Sequence, residues 1–248
     1  KNIYGIMHRC LQQAVTLGYL RHNPSEHCSL PRSLDPGITP LETPEIMLLI
    51  RRLQELNHPD ANLILVTLFT GMRQSEVIGL SWPDVDFRKG IIFVRRQLVK
   101  LPEKGQGYIF SSPKSRKSRI INPTVMRILD RQREQQKHWA QTAGSAWDNP
   151  DNLVFTNEVG RHLAHVTVYK RFKDIVRELG FPECRFHDLR HTFATVSLEN
   201  GDSIKTVQAN LGHATASFTM AKYAHVSETM RMESSVQMDR FIHNVSDL

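Results

Sequence analysis

Apolar and polar positions run along this chain with two different periods. From Ile3 to Leu20, apolar residues at Ile6, Cys10, Val15 and Leu17 follow helical spacing, and Pro24 stops the pattern soon after. Thr43 as N-cap and Pro44 at N1 predict a helix over 44–57. A second follows over 60–70 and contains the most apolar stretch, Leu63 to Phe69. Gly71 reads as its left-handed C-cap, and a short helix is expected over 73–80. Between Val85 and Ile121 the character changes. "GIIFVRRQLV" and "SRIIN" carry β-branched residues and are broken by Gly90, Gly105 and Gly107, which predicts a small antiparallel sheet. Helical spacing returns over 123–141, with Asn122 as cap and Pro123 at N1. It continues over 165–179, 187–199, 203–211, 215–222 and 228–243. The fold class is therefore mainly α with a small antiparallel β-sheet, an α+β chain without internal repeats.

Between the first helix and the rest lies "SLPRSLDPGITPLETPE". Its prolines Pro31, Pro36, Pro40 and Pro44 deny it regular hydrogen bonding. It reads as a linker over 31–43, separating residues 1–30 from a larger domain over 44–226, with a tail over 227–248. The chain has 248 residues, 40% of them hydrophobic, enough for one good-sized core or a core plus a fragment. It opens in mid-helix without an initiator Met, as expected of a fragment. The net charge of +7 favours a nucleic-acid partner, although an ordinary basic protein can carry it too. Cys10, Cys28 and Cys184 are odd in number, widely spaced and form no CxxC. They suggest neither a disulfide framework nor a zinc site and fit free thiols in a reducing cytosol. Leu63 to Phe69 is too short to span a membrane, and the start shows no signal-peptide pattern.

Four stretches carry residues suited to phosphate chemistry. In "TGMRQSEVIGLSW", Arg73 follows a glycine turn and opens a short helix, where its charge opposes the helix dipole unless an anion comes near. Glu76 is one turn on and reads as an orienting partner of Arg73 or a structural cap, not a general base. In "SSPKSRKSRIINP", Lys114, Arg116, Lys117 and Arg119 crowd a loop between strands, a run that a polyanion would stabilise. A solvated basic turn looks the same. In "HDLRHTFAT", His187, Arg190 and His191 at i, i+3 and i+4 share a helix face. Leu189, Phe193 and Val196 fall on roughly the opposite face, so the helix should bury one side and present cations on the other. An arginine there can grip two phosphate oxygens, though an ordinary charged surface helix fits the same spacing. In "LGHATASFTMAKYAH", Gly212 ends a helix, His213 sits at the turn, and Tyr223 follows ten residues later. Tyr223 could equally be a core tyrosine with a bonded hydroxyl. The other histidines, His225 among them, form no HExxH or comparable set, so no metal and no cofactor are expected.

All four stretches, in this order, resemble the tyrosine recombinase (phage integrase) family, nearest to integrases of conjugative transposons and temperate phages. The resemblance runs from about Thr43 to Val226. It implies a recombinase catalytic domain over 44–226, preceded over 1–30 by the last part of a helical core-binding domain. It also implies catalytic roles for Tyr223, Arg73, Arg190, Lys114, His187 and His213. Tyr223 would attack a DNA phosphodiester to form a 3′-phosphotyrosine. Arg73, Arg190 and His213 would stabilise the charged phosphorus. His187 would accept the tyrosine proton or orient the phosphate. Lys114, with Lys117 as the second candidate, would protonate the leaving 5′ oxygen. Arg116, Lys117, Arg119 and His191 are expected to contact DNA. The resemblance further implies double-stranded recombination sites as partner and a four-protomer synapse of the same chain. Accessory directionality or bending proteins would assist it, and it would work in the cytoplasm on the nucleoid without a membrane. A stripe of Met238, Phe241, Ile242 and Val245 would fold back on its own domain or dock on a neighbouring protomer. Three alternatives stay open: a type IB topoisomerase-like enzyme, a DNA-binding protein without catalysis, and a metal-dependent nuclease.

Overall fold

The computed structural model describes residues 2–30, 40–56, 58–101, 107–112 and 117–212. The chain divides into two compact units, Lys1–Gly37 and Ile38–Leu248. The first holds α1 (Asn2–Thr16). Its packed face carries Tyr4 and His8 rather than the stripe the sequence suggests, and Ile6, Cys10 and Leu17 are exposed. The reason is polar: the Tyr4 hydroxyl donates to the Ser25 carbonyl at 2.8 Å, and Asn23 Nδ2 donates to the His8 carbonyl at 3.1 Å. These bonds turn that side of the helix toward the chain that follows it.

In the second unit the order is α2 (Thr43–Glu55), α3 (Ala61–Thr70) and α4 (Gln74–Ile78). Strands β1 (Val85–Asp86), β2 (Ile91–Val94), β3 (Gln97–Lys100), β4 (Tyr108–Ser111) and β5 (Lys117–Ile120) come next. Then come α5 (Pro123–Ala143), α6 (His165–Glu178), α7 (Asp188–Glu199) and α8 (Ile204–Leu211). The fold is mainly helical with small antiparallel sheets. The strands form two sheets rather than one, β1-β2-β5 and β3-β4, all pairs antiparallel. The predicted helices over 215–222 and 228–243 lie outside the described residues.

Local caps follow the chemistry of the residues. Asn122 accepts from the Val125 N–H at 3.0 Å and starts α5 beside Pro123. The start of α2 differs from expectation. Glu42, not Thr43, is the N-cap, and the Glu45 carboxylate accepts from its backbone N–H at 2.8 Å, which moves Pro44 one position into the helix. Helix α3 is central. Leu63, Ile64, Leu65, Val66 and Leu68 are all buried, so nearly every side of it is covered. Each such side chain contributes about 1.5–3 kcal/mol on burial. Helices α5 and α7 pack on it. Polar side chains close the core where apolar ones cannot. Gln136 on α5 accepts from Trp82 Nε1 at 2.8 Å and donates to the Leu153 carbonyl at 2.9 Å and the Thr156 hydroxyl at 3.1 Å.

The end of α3 is the tightest point near the chemistry. Gly71 caps it at φ +62°, and a Cβ there would lie 2.6 Å from Phe193 and 2.8 Å from Leu211. Both the left-handed backbone and the close approach require glycine. Gly71→Ala is therefore expected to lower stability by about 1–3 kcal/mol. Urea unfolding measures this, and an unchanged midpoint would show that the α3 end tolerates a side chain.

Candidate active site

Arg73 and Arg190 are brought together by the end of α3. Arg190 lies on α7 and is only 2% exposed. Its Nη1 donates to the Gly71 carbonyl at 2.6 Å, and its Nη2 donates to the Leu211 carbonyl at 2.7 Å. Both acceptors are at helix ends whose carbonyls lack intrahelical partners. Gly71 closes α3, and Gly212 closes α8 in the left-handed conformation at φ +69°. A buried guanidinium thus ties two helix ends to a third helix. Arg73 lies two residues beyond Gly71, at the N-cap of α4.

Arg73 is held by Glu76. The Glu76 carboxylate accepts from the Arg73 backbone N–H at 2.9 Å and from Arg73 Nη1 at 2.6 Å. It is both the orienting partner and the cap, the two readings that its spacing allows. Glu76 is 2% exposed while the Arg73 side chain is 37% exposed, so the carboxylate is interior and the arginine reaches outward. Burial alone would raise the carboxyl's pKa. The Arg119 guanidinium and the two Arg73 contacts outweigh that and hold it below its ordinary value.

Helix α7 departs from the amphipathic expectation. Leu189 and Ala194 are buried, but so are Arg190, His191 and Thr192, so the helix is covered on both sides. The cause is its central place against α3 and α8. Its polar groups are satisfied inside: the Thr192 hydroxyl donates to the Asp188 carbonyl at 2.9 Å and accepts from the Leu41 N–H at 2.8 Å. His191, expected at DNA, is buried and lies edge-on to the His187 ring at 4.8 Å between centroids. His187 keeps an exposed edge. Partial burial, and then the Arg190 charge, lower its pKa; Asp188 opposes them, and Arg73 and Arg185 add to the lowering. Both arginines thus act on one imidazole. Asp188 is itself taken by Arg185, which grips both carboxylate oxygens from Nε at 3.0 Å and Nη2 at 2.9 Å.

Arg119 is the clearest correction. The sequence suggests a fourth exposed cation in a basic loop. Instead it lies in β5, 3% exposed, and its Nη2 donates to Glu76 at 2.9 Å. Lys117 opens the same strand, and its side chain lies outside the described residues, as do Lys114, Arg116, His213 and Tyr223. The structure places the Tyr108 ring 5.0 Å from His162 and stacks it on His165 at 5.7 Å. Gln74, next to Arg73, donates to the His165 carbonyl at 2.9 Å, so this aromatic group adjoins the arginine segment. No pattern in the sequence joins residues so far apart. Among the described residues, no group of three or more His, Cys, Asp or Glu is placed to hold a metal ion. None of the described helices is long and apolar enough to cross a membrane.

A mainly helical domain with small antiparallel sheets is a fold with known relatives. The model of the phage integrase family matches residues 38–230, and this chain belongs to that family. It is 34% identical over 232 residues to a tyrosine recombinase XerC-like protein of Caldanaerobacter subterraneus subsp. tengcongensis, covering 86% of this chain and 58% of that one. It is 26% identical over 191 residues to the transposase from transposon Tn916 of Enterococcus faecalis, covering 72% of this chain and 47% of that one. The chain thus spans about half of these relatives' length. In fold it is similar to the Tn1549 transposon integrase solved with a circular intermediate DNA. The TM-score is 0.79 at 22% identity, over 97% of this chain and 78% of that one.

The His187 environment gives a pH prediction. Its folded pKa is depressed below the ordinary 6.5. Its contribution to stability is therefore full above the unfolded value and is lost as pH falls through the lower folded one. An NMR titration of the DNA-free protein should place the His187 midpoint below 6.5, with the ring neutral at pH 7. A midpoint above 6.5 would contradict the described surroundings.

Proposed function

We propose that this chain carries the DNA-cleaving and rejoining part of a site-specific tyrosine recombinase, serving the integration or excision of a mobile element. The observation that carries the reading is the pair of arginines joined through the α3 end, both acting on His187. Family membership supports it, as do relatives whose names include a transposase and a recombinase.

In this reading Tyr223 attacks a backbone phosphodiester in line. Negative charge grows on the non-bridging oxygens, and Arg73, Arg190 and His213 stabilise it by charge-assisted hydrogen bonds. His187, neutral at pH 7, is in the protonation state that accepts the tyrosine proton. Lys114, or Lys117 in its place, gives a proton to the leaving 5′ oxygen. The bond energy is kept in the 3′-phosphotyrosine, and a 5′ hydroxyl from a second strand reverses the step. Neither ATP nor a metal ion is needed for that balance. Arg116 and Lys117 approach the DNA backbone. The partner is double-stranded DNA, and the working assembly is a synapse of four protomers, with accessory bending or directionality proteins.

Trapping on nicked suicide DNA tests the reading. Wild-type protein should form a covalent adduct that survives denaturing electrophoresis. Tyr223→Phe removes only a hydroxyl, so DNA affinity should stay within about two-fold while the adduct disappears, the loss expected when a nucleophile goes. An adduct formed by the variant would assign the nucleophile elsewhere. A wild type that binds DNA without ever forming one would favour a DNA-binding protein without catalysis.

A further inference from the structure

Arg119 sits where an apolar side chain would be the ordinary choice. Strands β2 and β5 pair with Ile92 opposite Arg119 and Ile91 opposite Ile120. Directly opposed residues in an antiparallel pair share a face. Ile92 is fully buried and Ile120 is 83% exposed, so the register turns Arg119 inward. There it meets Glu76, also interior. Among the described residues the carboxylate receives three hydrogen bonds: two from Arg73 and one, at 2.9 Å, from Arg119 Nη2. Among the described residues, Arg119 Nε is buried with no hydrogen-bond partner. A buried ion pair with an unsatisfied donor is a poor device for stability, because removing both charges from water costs as much as their attraction returns. Stability alone does not explain this pair.

Glu76 explains it. Its two oxygens divide the work. Oε1 takes the Arg73 guanidinium, while Oε2 takes the Arg73 backbone N–H and the Arg119 guanidinium. An interior carboxylate without Arg119 would face desolvation with, among the described residues, only the outward-reaching Arg73 as its ion-pair partner. It would then take up a proton or turn toward solvent. Either response releases the Arg73 side chain from its one described carboxylate partner.

We propose that Arg119 is a positioning residue: by holding the Glu76 carboxylate charged and fixed from the β5 side, it aims the Arg73 guanidinium at the phosphate. The proposal rests on the reading of Arg73 as a phosphate-binding residue. Arg119 also joins β5 to the arginine segment through one buried ion pair.

A double-mutant cycle on Arg119→Met and Glu76→Gln tests this. The readouts are single-turnover cleavage of suicide DNA and, on DNA-free protein, NMR of the Arg73 guanidinium. If Arg119 acts through Glu76, each variant slows cleavage by roughly a hundred-fold, the scale of a misplaced group, and the double variant is no slower than either. The Arg73 guanidinium then rotates faster than in wild type in all three. The pH profile adds a signature. Among the described residues, the charged groups acting on Glu76 are Arg119 from β5 and Arg73 from the start of α4; α3, β3 and α6, also packed on α4, add no further cause. Arg119→Met therefore raises the Glu76 pKa, and cleavage is lost as pH falls through that raised value. The acid limb moves to higher pH, and it moves back when Glu76→Gln is added. Arg119→Lys, which keeps the charge, should fold and show the same signature at smaller amplitude, so a poorly folded Arg119→Met does not end the test. Additive losses in the cycle, or an Arg73 guanidinium and acid limb unchanged from wild type, would overturn the proposal. A wild type without adduct but with the expected Arg73 signals would uphold the positioning and sink the recombinase reading alone.

Discussion

The buried guanidinium of Arg190 is the constraint on which the site depends. It is one of the largest fully buried side chains, and it is charged. Such a group is tolerated inside only where its donors are matched. Here Nη1 and Nη2 find the carbonyls of Gly71 and Leu211, orphan acceptors at the ends of α3 and α8. One side chain thus answers two needs of the backbone. The same bonds set the distance between α7 and the α3–α4 turn, and with it the place of Arg73. Glycine at 71 is part of this arrangement, because Phe193 and Leu211 close over the position.

Around that anchor the electrostatics are graded from inside to outside. Arg190 is interior and bonded to the backbone. Glu76 and Arg119 form an interior pair, and Arg73 reaches from them toward the surface. His187 stands where the fields of Arg190 and Arg73 overlap, and partial burial first, then these charges, lower its pKa. A neutral imidazole beside two cations is in the protonation state that can accept a proton. The two arginines are therefore unequal. One is built into the fold, and the other is carried by a carboxylate.

Much of this was legible in the sequence, and the rest fails for physical reasons. Caps are local chemistry, so Gly71, Asn122 and Gly212 could be read directly. Arg73, Arg190, His187 and Glu76 stand in short motifs whose spacing places them on helix starts and faces. Arg119 could not be read this way. Its burial depends on the pairing register of β5 with β2, a long-range property that no window around "KSRKSR" contains. Helix α7 misled for a related reason: its apolar stripe is real, but the opposite side is covered as well, by α3 and α8. The link between Tyr108, His162 and His165 joins two segments far apart in the chain, and only the fold reveals it. His213, Tyr223 and Lys114 rest on motif spacing, and their side chains lie outside the described residues.

The central claim is that Arg190 is a structural element of the fold, whereas Arg73, partly exposed at the start of α4, is not. The measurement that tests it most directly is the urea unfolding free energy of Arg190→Lys beside that of Arg73→Lys. Lysine cannot reach both carbonyls at once, so Arg190→Lys should lose about 2–4 kcal/mol by leaving a buried acceptor unmatched. Arg73→Lys, at a partly exposed position, should lose less than about 1 kcal/mol. Equal losses, or an Arg190→Lys protein as stable as wild type, would contradict the account.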